Sequence, residues 1–504
     1  MTATAATATG GCTDGGADAG HTSRERPAST TTAAPTSTPT TAPTTTPVTP
    51  SASGFPAGWR PAPLTWRDCA LDGNPDLQCA TLTVPLDWSR PDGSTVELAL
   101  GRIPASGDPE GSVVTNPGGP GASGLDFLAD EPLGPGITER FDTVSWDPRG
   151  VGSSTAVTCS DGVARFLELD ADPDTPDEQA GLDAAARRVS SACEAADGPL
   201  LPHLGTAEVA RDLEAIRRAL DQGPLNFVGF SYGTQIGQQY AAFFPAEIRT
   251  MVLDGVVDPA LGYTEFLLGQ ARAFEAAFDA NAVRCREAGR RRCGVDDLGA
   301  AYDRVKATAE GAPIPAGRAR LSPSEVAVAA TYVAYLDDGW EELGPALAAA
   351  ERGDGRRMVE LANSYYDFGG FGSYAAVVCT DTPPPRGEEA YRAFADEARR
   401  VAPRFGGSVA NELLVCATWP AAPVGTPAPV VAQGAPPILV VGNTGDPATP
   451  YPNAVAVADR LASGVLVTAE RGGHTAYGAD RCVTRIVDRY VTELRVPPDG
   501  TVCR

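Results

Sequence analysis

Gly229, Ser231 and Gly233, inside the stretch Asn226 to Gly237, spell G-x-S-x-G. A serine set this way is a nucleophile for acyl transfer when a strand enters the turn and a helix leaves it. The glycines have a steric cause, because the turn strains the serine backbone and leaves no room for neighbouring Cβ atoms. A glycine-rich strand-to-helix turn without chemistry would show the same three residues. The two readings part on whether a base, an acid and oxyanion donors accompany the serine.

The base is a short search, since the chain holds 3 histidines, His21, His203 and His474. His21 lies in a low-complexity segment and His203 in a loop upstream of the serine, where a structural role is expected. His474 follows the last sheet strand in Arg471-Gly472-Gly473-His474-Thr475, where small residues let a loop approach the turn. The acid should follow a strand between Ser231 and His474, and Asp446 does so. Asp254 and Asp258 are rivals one strand earlier, and turn chemistry alone would place aspartate at all three positions. The order Ser, Asp, His favours Asp446.

Two more glycine-rich loops stand at the ends of apolar runs, Asn116 to Gly121 after Ser112 to Thr115, and Asp147 to Gly152 after Thr143 to Trp146. In open α/β sheets ligands bind at such carboxyl ends. Gly119, Gly121 and Gly124 also satisfy G-x-G-x-x-G with Asp147 downstream, but Pro120 inside the tight turn argues against a dinucleotide. The acyl-transfer alternative has this loop bend backbone N–H groups toward the nucleophile as half of an oxyanion hole.

These loops need a sheet. Ala80 to Trp88 and Val96 to Ile103 read as a hairpin around Arg90-Pro91-Asp92-Gly93, and Leu225 to Val228 and Ile248 to Leu253 read as buried strands. Thr206 to Leu220 is an amphipathic helix behind a threonine cap. From Tyr263 to about Gly425 the pattern turns helical, with no clear strand, as a cap over a site would. The sheet resumes at Pro437 to Val441, ends at Val465 to Ala469, and a helix from Val483 to Leu494 closes the chain.

The 504 residues carry a formal net charge of −24 and one lysine, Lys306, so nucleic acid is not the expected partner. No apolar run reaches the ~18 residues of a membrane-spanning helix. Cys12, after Thr9, Gly10 and Gly11, reads either as the lipid-bearing residue of a bacterial lipobox or as an incidental cysteine in a tail. Thr9 stands where leucine is usual, and a basic leader is missing. His21 to Gly54 is rich in Thr, Ser and Pro and should be a tether without a core. Setting Cys12 aside leaves ten of the 11 cysteines. None has metal-ligand spacing, and neighbours in sequence would pair as Cys69–Cys79, Cys159–Cys193, Cys285–Cys293, Cys379–Cys416 and Cys482–Cys503. Disulfides imply an oxidising, extracellular or cell-surface location.

The runs NPGGPG, WDPRGVGSS, ARDLEAIRRAL, GFSYGTQIGQQYAAFFP, MVLDGVVDP, NTGDPATPY and GGHTAYG together resemble the secreted tripeptidyl aminopeptidases of actinomycetes and, more distantly, prolyl iminopeptidases. The resemblance runs from about Trp59 to Cys503. It implies an α/β-hydrolase fold, a mostly parallel sheet flanked by helices with an inserted helical cap. The expected division is a leader remnant at 1–22, a tether at 23–54, core at 55–258 and 426–504, and a cap at 259–425. It further implies Ser231, Asp446 and His474 as the triad, Gly119 and Tyr232 as oxyanion donors, no cofactor or metal, and a monomeric exopeptidase acting on peptides with a free N-terminus. Such an enzyme needs a carboxylate for the substrate ammonium. Asp381 is the first candidate, with Glu341, Glu342, Asp337 and Asp338 also in the cap. A carboxylesterase would use the same triad, and a binding protein on a hydrolase scaffold would lack one of its members.

Overall fold

Consecutive residues in the middle strands pack into opposite faces of one sheet. Phe227, Met251 and Val440 join one buried core, and Val228, Val252 and Leu439 join the other. Strands buried on both faces read as unbroken apolar runs rather than alternating ones. The structure, a computed structural model, describes residues 53–69, 74, 76–130, 133–366 and 369–504. Cys12, the leader and nearly all of the tether lie outside the described residues.

In chain order the strands are β1 (Arg67–Asp68), β2 (Gln78–Pro85), β3 (Thr95–Ile103), β4 (Ser112–Asn116), β5 (Asp142–Trp146), β6 (Leu225–Phe230) and β7 (Ile248–Asp254). They continue as β8 (Ile314–Ala316), β9 (Ala319–Leu321), β10 (Ile438–Gly445), β11 (Gly464–Gly472) and β12 (Thr501–Cys503). Ten of them form one sheet in the order β1-β2-β3-β5-β4-β6-β7-β10-β11-β12. The pairs from β1 through β3 to β5 are antiparallel, and every pair from β5 to β12 is parallel. This is the α/β-hydrolase fold. Parallel neighbours put β4, β5, β6, β7, β10 and β11 carboxyl ends on one edge, which is where the candidate loops leave the sheet.

The helix Thr206–Leu220 has the expected bounds, but the cap differs. Gly205 is the N-cap residue, and Thr206 begins the helix with its N–H bonded to Asp381 instead of capping it. Arg149, fully buried in the loop after β5, donates to both Asp212 oxygens on this helix and to the Pro85 and Leu86 carbonyls. A buried guanidinium needs such saturation.

Between β7 and β10 the chain is mainly helical, beginning with the 26-residue helix Tyr263–Ala288. Contrary to the strand-free expectation, this stretch contains the hairpin β8–β9. Two further strands, β1 and β12, are 2 and 3 residues long, too short for a periodic signal. All five expected disulfides are formed, Cys69–Cys79, Cys159–Cys193, Cys285–Cys293, Cys379–Cys416 and Cys482–Cys503.

Candidate active site

β6 ends at Phe230, Ser231 forms the turn, and the helix Tyr232–Phe243 begins at once. Ser231 has φ 52 and ψ −124, a conformation that L-residues avoid unless their surroundings enforce it. Its N–H donates to the Asp254 carbonyl at 2.9 Å, while its own carbonyl accepts the Thr234 N–H and hydroxyl at 2.9 and 2.6 Å. Glycine is required on both sides. A Cβ on Gly229 would lie 2.5 Å from the Gly233 carbonyl oxygen, and one on Gly233 would lie 2.6 Å from the Asn116 carbonyl oxygen.

The loop after β4 comes closer still. At Gly118, φ +96, a Cβ would stand 2.8 Å from the Tyr232 nitrogen and 2.9 Å from the Ser231 Cβ. Asn116 Oδ1 accepts the Gly118 N–H at 3.0 Å, which holds the loop against the turn. Among the described residues neither the Gly119 nor the Tyr232 N–H has a partner, so both are free to meet an oxyanion. In the same region Asp147 accepts from the Ser123 hydroxyl and the Leu125 and Ser153 N–H groups, a clamp between loops rather than a ribose contact.

His474 follows β11, and its Nδ1 lies 2.9 Å from each oxygen of Asp446. Asp446 is otherwise held by the Ala448 and Thr449 N–H groups at 3.0 and 2.9 Å and by the Thr449 hydroxyl at 3.1 Å. His474 Nε2 is buried and has no partner. Burial works to lower the His474 pKa, but the charge and hydrogen bond of Asp446 and the charge of Asp254 outweigh it, and the net shift is upward from 6.5.

The rival acids have other work. Asp258 pairs with Arg460 at 2.6 Å, and the Asp254 carboxylate accepts the Ala476 and Tyr477 N–H groups just beyond the histidine. Burial, offset in part by those N–H groups, pushes Asp254 up to about 6. His203 lies in a short 3-10 helix, where its carbonyl accepts Arg149 Nη1.

The cap rests on the histidine loop. Tyr335 accepts the His474 N–H at 2.9 Å and sets its ring edge-on at 5.4 Å between centroids, and Asp337 accepts the Gly472 N–H at 3.0 Å. Asp381 accepts from the Thr206 N–H at 2.7 Å, the Thr206 hydroxyl, and Gln235 Nε2 at 3.1 Å. Glu341 pairs with Arg292 and Glu342 with Arg357, all on exposed side chains, and Asp337 and Asp338 pair with Arg284. Sequence reasoning gave no role to Gly118 or Thr449 and weighed Asp254 only as a rival acid, not as the residue that braces the serine and histidine loops. The first two had a signal, a doubled glycine and an Asp446-to-Thr449 turn of the Asx kind.

A family model described as TAP-like protein matches residues 402–503. The chain is 34% identical to serine protease Hip1 of Mycobacterium tuberculosis over 480 residues, 88% of this chain and 91% of that one. It is 33% identical to the tripeptidyl aminopeptidase of Streptomyces lividans, over 88% of this chain and 87% of the relative. Carboxylesterase B of Mycobacterium tuberculosis is 32% identical, with 84% and 86% covered. With relatives of this similarity along most of its length, the chain belongs to the TAP-like family of α/β-hydrolases and is a serine hydrolase.

Proposed function

We propose that the protein is a serine exopeptidase that releases short peptides, tripeptides above all, from free N-termini, with Ser231, His474 and Asp446 as its triad. The observation that carries this reading is His474, which grips Asp446 through Nδ1 and leaves a buried, unpartnered Nε2, its ring lying against Gly255, the residue after the Asp254 carbonyl that holds the Ser231 N–H. His474 Nε2 takes the Ser231 proton as Oγ attacks the scissile carbonyl. The tetrahedral oxyanion is met by the Tyr232 and Gly119 N–H groups. His474 then gives the proton to the leaving amine, the C–N bond breaks, and an acyl-enzyme remains. Water repeats the sequence and frees the N-terminal fragment. Asp446 keeps the imidazole in the required tautomer and stabilises its cation.

The name of the Streptomyces relative supports the peptide substrate, and five disulfides support a location outside the cytoplasm. An esterase reading draws support from the relative named carboxylesterase B. Mass spectrometry of products from unblocked and N-acetylated peptides, beside a chromogenic ester, decides between them. N-terminal fragments of fixed length from unblocked peptides are expected, and ester cleavage without peptide release would overturn the exopeptidase reading.

A further inference from the structure

Most carboxylates recessed in this protein have a cation beside them: Asp212 has Arg149, Glu214 has Arg217 and Arg218, and Glu275 has Arg404. Glu412 does not. Its oxygens accept the Tyr365 hydroxyl at 2.8 Å and the Tyr374 hydroxyl at 3.5 Å, and among the described residues no cation pairs with it. Two phenolic donors, one at the limit of bonding distance, leave most of a carboxylate's four acceptor sites unused. Burial raises its pKa, with the tyrosine bonds acting the other way, so the ionised form lacks a counter-charge.

The surroundings point to what supplies that charge. Tyr365 and Tyr335 are edge-to-face at 6.2 Å, and Tyr335 is edge-to-face with His474 at 5.4 Å. On the other side Tyr374 belongs to the helix Phe371–Asp381, which packs on the oxyanion loop. A Cβ on Gly121 would lie 3.1 Å from the Tyr374 nitrogen. The box of Glu412, Tyr335, Tyr365 and Tyr374 therefore bridges the histidine and the oxyanion loop. Its ring-to-ring steps keep the carboxylate within about five extended residues of His474, at ~3.4 Å each. A carboxylate among tyrosine rings suits an ammonium, which gains an ion pair and cation–π attraction together.

We propose that Glu412 binds the free α-ammonium of the peptide substrate, with Tyr335, Tyr365 and Tyr374 as the walls of that subsite. The assignment rests on the exopeptidase reading and makes the distance from Glu412 to Ser231 the gauge of fragment length.

The test is the ratio of kcat/KM on an unblocked tripeptide anilide to that on its N-acetyl form. The wild type should favour the unblocked substrate, and its preference should fade above pH ~8 as the amine loses its proton. Glu412→Gln should lower the ratio at least ~30-fold, mainly through KM, and remove that pH dependence. If Glu412→Gln does not fold, Glu412→Asp, which keeps the charge one methylene further back, should lower the ratio several-fold. A wild type without preference for the free amine overturns the exopeptidase reading, and this assignment with it. A preference that survives in the folded variants overturns the Glu412 assignment alone.

Discussion

Ser231 and His474 are both held by Asp254. Its carbonyl accepts the Ser231 N–H at 2.9 Å, and its carboxylate accepts the Ala476 and Tyr477 N–H groups at 3.0 and 2.7 Å, two and three residues past the histidine. Asp254→Asn replaces one acceptor oxygen by an amide NH2 group facing an N–H donor. We expect kcat to fall about tenfold or more, from a histidine loop out of place by a fraction of an ångström. The pH dependence of stability gives a second readout. The folded pKa, about 6, lies above the ordinary 3.8, so between these values the native state holds a proton that the unfolded chain has lost. This residue's contribution therefore weakens as pH rises through that window. The melting temperature of wild type minus that of Asp254→Asn should be largest near the lower value and shrink toward the upper, and a constant difference would contradict the assignment.

In the proposed mechanism Asp446 sets the pH at which His474 acts as a base. Burial alone would lower the histidine's pKa, and Asp446 with Asp254 reverses this, so the rising limb of kcat/KM should have its midpoint above 6.5. Asp446→Asn should cut kcat on the order of 10⁴-fold and move the limb to lower pH. A pH–rate profile of both proteins checks this. A limb that stays in place would mean that some other group titrates there.

Much of this was legible in the chain, and the gaps have physical causes. The proposed triad of Ser231, Asp446 and His474 could be singled out because each sits at a strand end in the order Ser, Asp, His, and the structure brings His474 onto Asp446. Asp254 could not be separated from Asp446 on residue type, since both follow a strand and both suit a turn. Only the register of β7 beside β6 puts its carbonyl under the serine. Glu412 gave no signal, because its tyrosine partners stand 47 and 38 residues away on different helices. The helix Pro176–Asp197 was legible and overlooked, for Thr175 and Glu178 form its capping box.

Gly118 allows the loop after β4, the proposed oxyanion loop, to touch the serine turn. Gly118→Ala would place a Cβ 2.5 Å from the Phe230 carbonyl oxygen and 2.8 Å from the Tyr232 nitrogen, at φ +96. The neighbours are backbone and cannot swing away. The loop should retreat, with kcat down about 10²-fold and stability reduced by ~1–3 kcal/mol. Gly181→Ala is the control, in the helix Pro176–Asp197 with open space around it, and it should stabilise by up to ~1 kcal/mol. Equal turnover in wild type and Gly118→Ala would remove the loop from the mechanism.

Asp381 ties the cap to the serine helix, and the strength of that tie is measurable. The carboxylate ends the helix Phe371–Asp381 and accepts from Thr206 and from Gln235, one turn beyond the serine, while the Thr206 hydroxyl lies 2.7 Å from the Tyr232 hydroxyl. Cys379, two residues before it, is joined to Cys416, so the segment has few other positions to take. Asp381→Asn sets an amide nitrogen against donors and should cost ~1–3 kcal/mol. Thr206→Val keeps the N–H but removes the hydroxyl. Because Thr206 and Asp381 share one network, the double variant should be less destabilised than the sum of the singles, with a coupling of ~0.5–3 kcal/mol. Chemical denaturation of the four proteins measures it, and strict additivity would show that the contact does not hold the cap to the core.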